Sequence, residues 1–203
     1  MLVVMSSATR SLPENYVLKD NIDLSQDLRL AIWLNIAATI LFFISIWCCY
    51  LYLAWLRPEL IKQSFSIEID AASLLKILGV LIIILVNLVL HEAIHGFFFW
   101  WFTRSKPLFA LHLAYAYAAA PEWYIPRHQY AVIGLAPLLL IDAVILAILP
   151  LVPQEAILIL VSMLAFNTGG AIGDIWMVSR LLFLAPAGLI NDHGDSVQFY
   201  QPS

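Results

Sequence analysis

Between Leu30 and Leu56 the chain runs through 27 residues without a single Asp, Glu, Lys, Arg or His. As a helix rising about 1.5 Å per residue, that run is about 40 Å long, more than the roughly 30 Å of a bilayer's hydrocarbon core. It has no polar face to turn to water, and in lipid its backbone groups are satisfied only by closing on themselves as a helix. The rest of the chain is built alike: 63% of its 203 residues are hydrophobic and 12% charged, with a mean hydropathy of +0.89. A soluble domain has roughly 45–50% apolar and 25% charged residues, so a water-soluble globule is excluded and the lipid bilayer is the expected partner of the outer surface. A net charge of -4 with 10 Lys and Arg leaves no basic footprint for a phosphate backbone, and nucleic acid is not an expected partner. Cys48 and Cys49, adjacent in an apolar run, support neither a disulfide framework nor a cysteine metal site and are expected to be packing residues. The opening Met1-Leu2-Val3-Val4-Met5 is too short for a signal-peptide core, so insertion is expected to rest on the internal spans.

The expected fold class is an all-α membrane protein with about four transmembrane helices and short interfacial β segments. Residues 1–29 carry Arg10, Glu14, Lys19, Asp20, Asp23, Asp27 and Arg29 and read as a polar N-terminal tail. A single domain over residues 30–190 then holds the spans: Leu30–Leu56, closed by Arg57-Pro58; about Ile77–Phe102; about Gln129–Val152, with Pro137 near its start; and about Ala156–Leu184. Phe65, Ile67 and Ile69 alternate with polar residues over 63–70, the period of a strand at the membrane edge. Leu111, Leu113, Tyr115 and Tyr117 suggest a second extended interfacial segment within 108–120, with a re-entrant helix as the alternative. Residues 191–203 read as a short acidic tail. With an even number of spans both termini share a side, which collects Arg10, Lys19, Arg29, Arg104, Lys106, Arg127 and Arg180 against Arg57, Lys62 and Lys76. That bias predicts a multi-pass protein of the cell membrane with a cytoplasmic N-terminus.

His91-Glu92-Ala93-Ile94-His95 lies in the second half of the second span. Residues four apart share one helix face, so both imidazoles can bind one Zn2+, while Glu92 is placed to take a proton from a hydrolytic water and return it to a leaving amine. Five His and six Glu placed at random in this chain produce such a string in roughly 0.4% of cases, and three ionisable side chains at bilayer depth mark function by default. A structural polar cluster is the alternative.

A catalytic zinc needs a third protein ligand, and the candidates are Asp142, Asp174, His112, His128 and His193. Depth discriminates among them. The second and fourth spans run parallel, placing His91 and His95 roughly 21–27 Å beyond Ile77 and Asp174 roughly 27 Å beyond Ala156, whereas Asp142 on the antiparallel third span falls short by about 10 Å. The three other histidines fall outside the spans. Asn167, Gly170 and Asp174 share a face, and Gly169 and Gly173 have the small-xxx-small spacing of membrane helix pairs. Asp174 is thus expected as a ligand, the alternative being a packing seam with Asp174 bonded to Asn167. For Asn167 the expectation is substrate binding or oxyanion stabilisation, against a helix-packing hydrogen bond.

With these residues in view, the chain resembles a bacterial membrane family of zincin peptidases whose function is not established. The resemblance is carried by His91 to His95, by Tyr130-Ala131-Val132-Ile133-Gly134-Leu135-Ala136-Pro137 and by Asn167 through Gly173-Asp174, and covers about residues 60–200. That family is similar in layout to the site-2 proteases, intramembrane zinc metalloproteases with two His and a distant Asp as ligands. The resemblance implies His91, His95 and Asp174 as zinc ligands and Glu92 as catalytic acid/base. This chain differs in having no proline between Asn167 and Asp174 and in following Asp174 with Ile175.

The expected function is an intramembrane zinc metallopeptidase that cleaves membrane-embedded or membrane-adjacent polypeptides, its interfacial strands pairing with an extended substrate. The alternatives are a zinc-binding membrane protein without proteolysis, acting as regulator, assembly partner or metal handler, and a zinc hydrolase of a lipid or small molecule.

Overall fold

The computed structural model describes residues 7–23, 26–61, 71–111 and 116–203. Among them four helices are long and apolar enough to cross a membrane: Leu28–Leu56, Leu78–Thr103, Arg127–Ile148 and Gln154–Phe183. The chain is a membrane protein, mostly helical, with a few short strands.

Strand β1 (Tyr16–Asp23) precedes α1 (Leu28–Leu56). Asp27 caps that helix, its Oδ1 accepting from the Leu30 N–H at 2.9 Å, which satisfies one of the orphan donors of the first turn. Pro58 bars continuation at the other end, and the Arg57 guanidinium reaches the Val152 carbonyl at 2.7 Å. The short α2 (Pro58–Ile61) follows. The alternation expected to form a strand over 63–70 lies outside the described residues.

Helix α3 (Ala71–Thr103) ends where Arg104 takes a left-handed conformation, φ 54°. The Arg104 N–H closes the last turn onto Trp100 O, and its guanidinium lies over the rings of Trp100 and Trp101. Then β2 (Leu108–Leu111) and β3 (Ala116–Ala119) pair antiparallel, so the extended interfacial segment is a hairpin. Strand β4 (Tyr124–Pro126) leads into α4 (Arg127–Ile148), which carries Pro137 within it. The fourth span is two helices, α5 (Gln154–Gly170) and α6 (Ile172–Arg180), broken at Ala171 after the Gly169-Gly170 pair and closed by a 3-10 turn at Leu181–Phe183.

The largest departure from expectation is at the two ends. Residues 1–29 and 191–203, read as polar tails, contain strands that meet each other: β5 (Leu189–Asp192) and β6 (Ser196–Pro202) join β1 and β4 in a four-stranded antiparallel sheet of order β1-β6-β5-β4. The physical reason is alternation: Val197 and Phe199 on β6 are buried between more exposed Ser196, Gln198 and Tyr200, and the polar residues of that other face give the segment the look of a tail. Arg180 of α6 pairs with Asp20 of β1 at 2.5 Å, fastening the sheet to the bundle.

Among the described residues, two buried clusters hold the molecule together. One lies under the sheet and includes Phe99, Ile125, Ile133, Met177, Ile190 and Phe199; the other is deeper in the bundle and includes Cys49, Leu53, Ile141, Ile145, Leu149 and Leu164. Cys49 is thus a packing residue, but Cys48 is exposed. The bundle's outer face carries Trp33, Trp47, Leu85, Val89, Leu139 and Leu158, an apolar surface suited to lipid tails.

Phe199 is 2% exposed at the centre of the sheet cluster, and emptying such a site costs about 3–5 kcal/mol. Phe199→Ala should lower the thermal midpoint in detergent and open the β1 region to protease, while the same change at the exposed Leu18 should do neither.

Candidate metal centre

His91 and His95 occupy successive turns of one face of α3; α4 and α5 pack against this helix, and α6 reaches the pair through Asp174. The break at Ala171 starts a new helix, with Asp174 in its first turn. One imidazole nitrogen from each histidine and a carboxylate oxygen of Asp174 all lie within 4.8 Å of one another. His91 Nε2 is 3.0 Å from Asp174 Oδ2, His95 Nε2 is 3.4 Å from Asp174 Oδ1, and the two Nε2 atoms are 3.2 Å apart. Both histidines are buried.

The outward-facing nitrogens decide what these inward-facing ones can be. His95 Nδ1 lies 2.9 Å from the Ile133 carbonyl, which only accepts, so this nitrogen carries the proton. His91 Nδ1 lies 3.0 Å from Asn167 Oδ1. The orientation of that amide follows from its other end: Asn167 Nδ2 donates to Asp142 Oδ1 at 2.9 Å and toward Pro137 O at 3.4 Å, both acceptors. Its oxygen therefore faces His91, which must donate. With the rings neutral, each Nε2 turns a lone pair toward the other and toward a carboxylate. Three acceptors converging in a buried space repel one another unless a cation lies among them, and two imidazoles with one carboxylate make a ligand set suited to zinc.

Glu92 lines the same cavity, of about 350 Å³, together with His91, His95 and Asp174. The Ala118 backbone of β3 lies beside the Glu92 carboxylate, which places the hairpin at the site. Asp142 stands outside the cluster. Its Oδ2 accepts from the Thr168 hydroxyl at 2.7 Å and its Oδ1 holds Asn167, so it reaches His91 only through that amide. Asp142 is therefore level with Thr168, six residues and about 9 Å along the span from Asp174. Asn167 is 1% exposed and its amide is engaged by His91, Asp142 and Pro137, the arrangement of a group that positions a histidine. His128 and His193 are exposed and away from the cluster, and His112 lies outside the described residues.

The glycines divide between two jobs. A Cβ on Gly169 would lie 3.1 Å from Ala38 O, so this glycine permits the close approach of α1 to α5. Gly173, expected to share that seam, instead lines the cavity with Gly170, and neither has an atom within 4 Å of an added Cβ. They leave the space beside Asp174 open.

Two cavity residues give little sign of themselves in the sequence. The Tyr130 hydroxyl donates to Asp192 Oδ2 at 2.7 Å, while Asp192 Oδ1 accepts from the Gly194 N–H at 2.7 Å. Burial pushes the Asp192 carboxyl up to about 6, against the pull of those two hydrogen bonds. The available signal was local: Asp192 closes the apolar Leu189-Ile190 run and stands two residues before Gly194, whose φ of 88° makes the turn.

A family described as "Putative zincin peptidase" matches residues 83–189, just over half of the chain. No curated protein and no solved structure matches.

Zinc should bind at one equivalent per chain and be lost in His91→Ala and His95→Ala, with His128→Ala and His193→Ala unchanged. Asn167→Ala should weaken it roughly 10–100-fold without changing the stoichiometry. Titration against a chelator reads both; equal affinity in Asn167→Ala and wild type would show that His91 is held without the amide.

Proposed function

Since the chain belongs to this zincin peptidase family, we propose that it is an intramembrane zinc metallopeptidase, hydrolysing peptide bonds of polypeptides embedded in or lying against the membrane. The observation that carries the reading is the convergence of His91, His95 and Asp174 beside Glu92 in a single cavity inside the membrane-spanning bundle. His91, His95 and Asp174 would hold a zinc ion, which would supply Lewis-acid chemistry to a hydrolytic water and to the scissile carbonyl. Glu92 takes a proton from that water as its oxygen bonds to the carbonyl carbon, and returns the proton to the nitrogen as the C–N bond breaks. His91 and His95, with their Nδ1 protons held outward, stay in one tautomer through the cycle.

The hairpin supplies the substrate's footing. Ala116, Tyr117 and Ala118 of β3 line the cavity on the side of Glu92. A helical substrate hides its carbonyls in its own hydrogen bonds and must be extended before attack, and an extended segment lying along β3 meets Glu92 at its edge. The site thereby takes a membrane polypeptide as substrate, from a protein held in the cell membrane by four spans with its N-terminus in the cytoplasm.

Glu92→Gln should keep zinc and the fold while losing turnover by a factor on the order of 10²–10⁴, because the amide keeps the volume but does not accept the proton. Comparing the membrane proteomes of wild-type, deletion and Glu92→Gln cells should reveal an uncleaved polypeptide common to the last two. Accumulation of a lipid or small molecule instead would reassign the substrate. A zinc-loaded Glu92→Gln with no such change, where deletion produces one, would make the metal a scaffold.

A further inference from the structure

Pro137 lies in the interior of α4, one turn beyond Ile133. Proline has no N–H, so the helical hydrogen bond from residue 137 to the carbonyl of residue 133 is missing, and the ring crowds that carbonyl away from the ladder. Ile133 is 2% exposed, so bulk water does not replace the lost donor. The replacement is His95, whose Nδ1 lies 2.9 Å from the Ile133 oxygen. A second link starts from the same turn: Pro137 O is 3.4 Å from Asn167 Nδ2, and Asn167 Oδ1 holds His91. Gly134, next to Ile133, lets α6 pack directly onto this turn, since a Cβ there would lie 2.6 Å from Val178 Cγ2.

We propose that Pro137 is a positioning residue for the metal centre: by deleting one hydrogen bond of α4 it reserves the Ile133 carbonyl for His95, fixing the ring in the tautomer and orientation that present Nε2 as a ligand. The inference deepens the zinc reading above and rests on it. The reserved acceptor is internal to the bundle and needs no additional side chain, which suits a site where every buried polar group must find a partner. If Pro137 only bent the helix, alanine in its place would improve the helix and leave the metal untouched.

The test compares zinc affinity, by chelator competition in detergent, for wild type and Pro137→Ala, together with ¹⁵N NMR of the metal-free, histidine-labelled protein. Pro137→Ala regains the N–H at residue 137, which competes for the Ile133 carbonyl. It should bind zinc roughly 10–100-fold more weakly while its metal-free form is at least as heat-stable as wild type. His95 Nδ1 should carry its proton throughout in the wild type and only in part of the population in the variant. Lactic acid at position 137, an ester analogue of alanine without the N–H, should restore the wild-type affinity. Unchanged affinity in Pro137→Ala, equal loss in the lactic acid variant, or a wild-type His95 with no proton on Nδ1 would each overturn the proposal. A wild-type protein that binds no zinc would instead overturn the metal reading beneath it.

Discussion

Inside a bundle that faces lipid, a polar atom has no water to turn to, and each one must be answered by another atom of the chain. The whole centre can be read from that requirement. His91 and His95 put two ring nitrogens each into the apolar interior, and the outer nitrogen of each meets an oxygen, from Asn167 in one case and from the Ile133 backbone in the other. Those two bonds remove the freedom of the rings to flip or change tautomer. What remains is two inner ring nitrogens and the Asp174 carboxylate with a common focus, a geometry favourable around a cation.

The helices that frame this focus are interrupted where the chemistry needs it. An unbroken α4 would spend the Ile133 carbonyl on its own ladder, and an unbroken fourth span would not start a fresh helix just before Asp174. Membrane helices tolerate such interruptions because neighbouring groups re-satisfy the freed backbone atoms, and here the neighbours include His95. Asp142 contributes at one remove. It anchors Thr168 and Asn167, so a third carboxylate at the end of a hydrogen-bonded chain stiffens the ring that faces Asp174.

The spans were legible because their signal is bulk hydropathy, which survives an error of a few residues at either end. The histidine pair and Glu92 were legible because four-residue spacing has one geometric meaning on a helix. Asp174 could be singled out by counting rise along parallel spans, a one-dimensional argument that suits a membrane. The same argument is blind to lateral links, so it separated Asp142 from the histidines by depth and missed the amide that connects them. The terminal strands were hidden for another reason. Their pairing joins residues from opposite ends of the sequence, and their alternation is partly covered by charged side chains such as Lys19, Asp20 and Asp23. Asp192 went unseen with them, and Tyr130 stood out only as part of a motif, since the bond between them depends on where that sheet sits.

The β1–β6 pairing also sets an order of events during synthesis. Tyr16 is partnered by Pro202 and Asp23 by Ser196, so β1 leaves the ribosome with nothing to pair with until about 180 further residues have been made. At 5–20 residues per second that interval is on the order of ten to forty seconds, during which all four spans enter the membrane. The wall of the cavity formed by Asp192 and Gly194 arrives in the same late stretch. The histidines and Asp174 are therefore laid down in the bilayer before the sheet that covers them exists, and the nascent chain passes through a stage with an unwalled centre and an unpaired strand. Cellular quality control that grips exposed strands would find this protein at that stage, and would lose its handle when β6 slides into place between β1 and β5.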